Sequence, residues 1–126
     1  MKQLTYADIV KRLSEYDKGF VQAPEYDSTN AEIPYIFFAD FSRYLTRIIE
    51  ASNSPEKDEN VRRSMAFVDA MINSDDIEVA NLAEVEILEQ LAQSTKTVDF
   101  CLSTLKGQAL KRFKHVLKYW GVNRNI

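Results

Sequence analysis

Ser74-Asp75-Asp76-Ile77-Glu78-Val79-Ala80-Asn81-Leu82-Ala83-Glu84-Val85-Glu86-Ile87-Leu88-Glu89-Gln90-Leu91 is the stretch from which the rest of the chain can be read. Ser74-Asp75-Asp76 opens a helix, and Asp75, Asp76 and Glu78 suit the positive end of its dipole. Ile77, Ala80, Ile87, Leu88 and Leu91 fall on one arc of a 100° wheel, and no glycine or proline interrupts them. The helix should end near the polar run Gln93-Ser94-Thr95-Lys96-Thr97.

The same period extends in both directions. Upstream, Ser54-Pro55-Glu56 reads as N-cap, N1 and N2 of a helix carrying Val61, Met65, Val68, Met71 and Ile72. Before it, Pro34 suits a first turn, where its missing amide hydrogen has no partner to lose, and Phe37, Phe38, Phe41, Tyr44, Leu45, Ile48 and Ile49 form the apolar stripe. The first helix has Thr5 as N-cap, Asp8 in its first turn, and Tyr6, Ile9, Val10, Leu13 and Tyr16 on one face. Gly19 ends it, and residues 17–32, with Pro24, Asp27, Ser28, Thr29 and Asn30, read as a long polar connection that is functional or mobile.

Downstream, a short helix over Val98 to Leu105 should stop at Gly107, and a last one should run from about Gln108 to Trp120 before Gly121. Its two sides sort into Ala109, Leu110, Phe113, Val116, Leu117 and Trp120 against Lys111, Arg112, Lys114, His115 and Lys118. Glycine and proline number only three each, and no Asn-Gly or Asp-Gly hairpin signal occurs. The expected class is all-α: five to six helices as stacked antiparallel hairpins, either a HEAT-like short solenoid or an irregular bundle.

The 126 residues suggest one domain over 1–126, large enough to bury a core without a metal or disulfide staple. With 45% apolar and 28% charged residues, whole-chain disorder is excluded. Cys101 cannot form an internal disulfide, which makes a reduced cytoplasm the expected location. It sits in an apolar run and reads as a buried small hydrophobe. No apolar stretch approaches a membrane span, and Asp8 interrupts any signal-peptide core, so the mature protein is expected to begin where the sequence does.

Charge is unevenly distributed although the net value is only −3. Between Ser64 and Thr95 lie seven acids (Asp69, Asp75, Asp76, Glu78, Glu84, Glu86, Glu89) and no base. From Lys96 onward, Lys96, Lys106, Lys111, Arg112, Lys114, Lys118 and Arg124 face Asp99 alone. Glu25, Asp27 and Glu32 add acid to the long connection. Clustered charge steers an oppositely charged partner without specifying a fold; the alternative is a solvated acidic face, neutralised where the basic helix folds back on it.

Glu84 stands near the centre of the apolar arc. A buried carboxylate needs compensation, so either Arg43, Arg47, Arg62 or Arg63 pairs with it, or it faces a partner or a reacting group. Asn81, on the edge of the same arc, is a second candidate buried polar group. Glu78, Glu86 and Glu89 should be exposed.

Catalytic signals are sparse. His115 is the sole histidine, which rules out a two-histidine metal site and suits a helix-surface imidazole. No serine or cysteine has nucleophile spacing, and isolated glycines exclude a phosphate loop. Asp75, Asp76 and Glu78 lack the spacing and glycine of a calcium loop. No catalytic residue, metal or cofactor is expected. The last helix is amphipathic and basic, but a pI near 5.2 and the lack of a nucleic-acid signature favour core packing over membrane or nucleic-acid contact.

Phe67-Val68-Asp69, Asn73-Ser74-Asp75-Asp76, Val79 through Leu91 and Lys118-Tyr119-Trp120-Gly121 resemble a small bacterial family of all-helical proteins. Similar small acidic helical proteins include immunity proteins of contact-dependent growth inhibition and related toxin systems. The resemblance implies a cytoplasmic, non-enzymatic antidote that binds a toxin domain, often a nuclease, and occludes its active site. Carboxylates would occupy a cleft built for phosphates. The expected contact surface is Glu25, Asp27 and Glu32 with Asp75, Asp76, Glu78, Glu86 and Glu89, and Tyr26 or Tyr35 would supply an aromatic anchor. A helical adaptor, binding a partner in a groove containing Asn81 and Glu84, is the alternative.

Overall fold

The computed structural model, which describes residues 2–122, contains helices α1 (Ile9–Tyr16), α2 (Lys18–Val21), α3 (Pro34–Ala51), α4 (Glu59–Ile72), α5 (Ile77–Ala83), α6 (Glu89–Leu91), α7 (Thr95–Thr104) and α8 (Gly107–Tyr119). Turns of 3₁₀ type occupy Tyr6–Asp8, Ser28–Asn30 and Pro55–Lys57, and a π-turn over Glu84–Leu88 joins α5 to α6 without a break. No strand occurs among the described residues, so the all-α class is confirmed. No helix among them is long and apolar enough to cross a membrane. Arg124, counted above with the basic end, lies outside the described residues.

α3 forms the centre. Pro34 occupies its first turn, and Phe37, Phe38, Phe41, Tyr44, Leu45 and Ile49 are buried along it. Phe20 meets Phe41 edge-on at 5.3 Å and Phe37 at 5.6 Å, so aromatic geometry fixes the registration of α2 on α3. α3 also touches α1, α4, α5, α6 and α7, and α4 touches α8. Stacked hairpins account for the α3–α4 and α7–α8 neighbours, but not for the contacts α3–α7 and α4–α8, which reach beyond an adjacent pair.

Local chemistry moves several boundaries. Ser54 and Pro55 initiate a 3₁₀ turn, not the α-helix itself; α4 begins at Glu59, capped by Asp58, whose carboxylate accepts from the Val61 amide at 3.1 Å. Proline followed by a better capping residue three positions on favours this later start. α7 likewise begins at Thr95, before Val98, because Ser94 caps it through the Thr97 amide. At the end of α8, Gly121 has φ +68° and the Val122 amide donates back to the Leu117 carbonyl at 2.9 Å, a left-handed helix stop.

The connection over 17–32 is not uniformly polar. Asp17 is fully buried: its carboxylate accepts from the Phe20 amide at 3.1 Å and from Ser64 Oγ at 2.5 Å, with Arg63 Nη1 at 3.9 Å. This cap starts α2 and drives Phe20 into the core. Gly19 does not end a helix; it lies within α2, where a Cβ would stand 2.7 Å from Tyr44 Oη and 2.8 Å from Asn60 Oδ1. A side chain at this position would push the ends of Tyr44 and Asn60 aside where α2 approaches α3 and α4.

The π-turn also corrects the wheel. Val79, Ala80, Leu82 and Ala83 are the buried residues of α5, while Ile77 is 69% exposed. A π-turn holds more residues per turn than an α-helix, so the residues that follow it are rotated relative to a regular wheel. Ile87, Leu88 and Leu91 are buried as expected together with Ala80, but Val79, Leu82 and Ala83 take the place of Ile77 upstream. Trp120 also departs from expectation. It is the C-cap of α8, past the last helical residue, and is exposed beside Tyr119.

Candidate functional surface

Ser74, Asp75 and Asp76 do more than open α5. Asp76 accepts from the Glu78 amide at 3.0 Å as an N-cap and from the Tyr6 amide at 2.8 Å. Ser74 Oγ donates to the Leu4 carbonyl at 2.7 Å, and Gln3 donates to Asp75 at 2.8 Å. The N-terminal segment is thereby clasped to the start of α5.

That clasp assembles a surface. α3 and α5 are in contact, and burial first, then the neighbouring Tyr35 and Glu78, raises the Tyr6 hydroxyl pKa. Ile33, Tyr35 and Ile36 at the start of α3 and Ile77 at the start of α5 are large and exposed, with Ile33 51% accessible. Glu32 immediately precedes them, and Glu32, Asp75 and Glu78 are exposed. Tyr35, Asp76 and Glu78 thus gather around Tyr6, Asp76 being committed to two amides, while Asp75 holds Gln3 and Glu32 lies at the approach to α3. The sequence reading missed Ile33, Ile36 and Ile77. Ile33 and Ile36 fall outside the apolar stripe read for that helix, and Ile77 was counted with the core arc.

The other acids lie elsewhere and are partly quenched. Glu25 is paired with Arg47 through contacts of 2.5 and 3.0 Å, and that hydrogen bond holds its carboxyl below the usual range. Asp27 caps the Ser28–Asn30 turn, accepting from the Thr29 amide at 3.0 Å and Oγ1 at 2.6 Å, and is likewise lowered. Tyr26 is half-buried against Phe20 and Phe37, at 5.3 and 5.9 Å, and serves the core more than a surface anchor would.

Glu84 is half-buried, and its partner is Arg112 of α8 at 3.2 Å; none of the four arginines named from sequence pairs with it. Arg43 pairs with Asp40, Arg47 with Glu25 and Arg63 with Asp17. Asn81 is exposed, not buried. Glu86 and Glu89, expected in water, are half-buried; burial and their mutual or neighbouring charge raise both carboxyls.

His115 is exposed on α8, and Cys101 is buried with its thiol pushed up to about 12 by desolvation. No group of three or more metal-ligating side chains is gathered among the described residues.

These features define a small all-helical protein that carries an acid-rimmed apolar surface. The chain belongs to the family described as Domain of unknown function (DUF7674), whose pattern matches residues 6–121 and so includes every helix named above. Comparison with curated proteins and with solved structures gives no match.

Proposed function

We propose that this protein is a cytoplasmic immunity protein that binds a cationic toxin domain, a nuclease by the chemistry of its cleft, and blocks its active site. The surface around Tyr6, Tyr35 and Glu78 carries the reading. Ile33, Tyr35, Ile36 and Ile77 offer the desolvated centre from which an interface draws most of its affinity, and Glu32, Asp75 and Glu78 offer the acidic rim that accelerates capture. Glu25 and Asp27 contribute less than their formal charges suggest, because Arg47 and the local turn already engage them.

The direct test is co-expression with the toxic domain of a secreted protein encoded beside this gene. Growth rescue, an association rate that falls with ionic strength, and loss of affinity in Tyr35→Ala support the reading. A complex that fails to form, or a rate indifferent to salt, overturns it.

A helical adaptor is the second reading. A cleft of about 440 Å³ between α4 and α7, lined in part by Met65, Ala66, Phe100 and Leu105, favours it as a groove for an extended segment. The pairing of Glu84 with Arg112 counts against locating that groove at Asn81 and Glu84.

A further inference from the structure

The C-terminal end of α8 closes a second cavity against the π-turn and α6. It encloses about 260 Å³ and is lined by Glu84, Glu89, His115, Val116, Tyr119 and Trp120. Two carboxylates thus face one small space. Arg112 approaches Glu84 from α8, and no cation is paired with Glu89 among the described residues. The wall opposite is aromatic. Trp120 is 56% and Tyr119 76% exposed, with rings edge-to-face at 5.6 Å, so neither indole nor phenol has been spent on the core.

Two costs are left standing here. Glu89 is held partly out of water beside Glu84, and its carboxyl is raised by burial first and by the Glu84 charge second, against the opposing pull of the Trp120 side-chain hydrogen bond. Glu86 adds a further negative charge near Glu89. Two large aromatic surfaces also remain in solvent. One kind of group relieves both: a planar cation that pairs with a carboxylate along its edge and stacks on an aromatic ring through its face.

We propose that this cavity is a receptor for an arginine side chain of the protein partner, with the guanidinium paired to Glu89 and stacked on Trp120. The proposal rests on the reading above for the identity of the partner, and it adds a specific anchor well apart in sequence from the apolar surface at Tyr35. Glu84 stays with Arg112 and supplies field, and Tyr119 forms the outer wall. An ammonium group would satisfy the carboxylate but would lose the face-to-face contact, so arginine is preferred over lysine.

Trp120 is the only tryptophan in the chain and reports directly on occupancy. The full chain should be titrated with Nα-acetyl-arginine amide, with the neutral citrulline analogue at matched ionic strength as control. A saturable change in tryptophan fluorescence with the arginine compound alone is expected, weakened about tenfold in Glu89→Gln and also reduced in Tyr119→Ala. Unchanged circular dichroism and melting confirm that both variants fold. Equal responses to arginine and citrulline, or Glu89→Gln indistinguishable from wild type, overturn the receptor. Arginine binding without toxin capture would sink the immunity reading alone. Toxin capture with an affinity untouched by both variants would remove the anchor alone.

Discussion

Arg112 Nη1 lies 3.2 Å from Glu84 Oε1 and 3.4 Å from the Ala80 carbonyl, so one guanidinium on α8 grips both the side chain and the backbone at the entrance to the π-turn. A π-turn shifts the amide ladder from i−4 to i−5 partners. The Ala80 carbonyl still accepts from the Glu84 amide, so the arginine adds a second donor one turn before the ladder changes step.

Replacing Arg112 by alanine should therefore destabilise the fold by about 1 kcal/mol, a modest value because both partners are roughly one-third accessible. A double-mutant cycle with Glu84→Gln, read by urea unfolding, should return a coupling below the sum of the single losses, since the Ala80 contact survives removal of the glutamate.

Asp17 should prove far more expensive to lose. It is fully buried, caps α2 and accepts from Ser64. Asp17→Ala leaves an amide and a hydroxyl without their acceptor and should cost about 3 kcal/mol, while Ser64→Ala, which removes only one donor, should cost less. Urea midpoints of the two variants decide the order.

The raised carboxyls of Glu86 and Glu89 carry a definite sign. A folded-state pKa above the unfolded value means the native chain holds protons more tightly, so their contribution to stability is full at low pH and is lost as pH rises through the folded pKa. Glu86→Gln and Glu89→Gln should be more stable than wild type at neutral pH, and the difference should vanish in acid. Glu25 runs the other way: its lowered carboxyl stabilises above the unfolded pKa, and that gain is lost as pH falls through the folded one. Melting temperatures of Glu25→Gln across the same pH series should show the opposite trend.

Cys101 should be silent to thiol reagents in the native protein. Its thiol is buried and pushed up to about 12, so essentially no thiolate forms at pH 8. Reaction with a disulfide reagent should appear only in denaturant, and a stoichiometric native reaction would contradict the burial.

Much of the helical layout was legible because it rests on signals that act within one turn. Pro34 at a helix start, the phenylalanine stripe of α3 and the stop at Gly121 each follow from local sterics or capping. The failures come from terms that no short window contains. Asp17 looks like loop until Ser64 and Arg63 come within reach from α4. Glu84 was correctly singled out as needing a cation, yet Arg112 is supplied from α8, and sequence proximity favoured the wrong arginines. Ile77 was placed in the core because a wheel of constant pitch cannot know that the helix changes pitch at Glu84. The acids are clustered along the chain, but folding disperses them: Asp69 lines the cleft between α4 and α7, Glu84 and Glu89 face α8, and Asp75, Asp76 and Glu78 stay at the start of α5, with Tyr35 near Glu78 around Tyr6.

The change of pitch between Ala83 and Glu89 has a consequence for how this lineage can vary. α5 upstream is seated on α4, whereas the π-turn downstream is seated on α3 and α8. Excising one residue between 84 and 88 would restore uniform winding and leave one of those seats facing the wrong way. Substitutions there should be absorbed far more readily than any alteration in the number of residues, so insertions and deletions in descendants of this gene should accumulate in the connections and spare this helix.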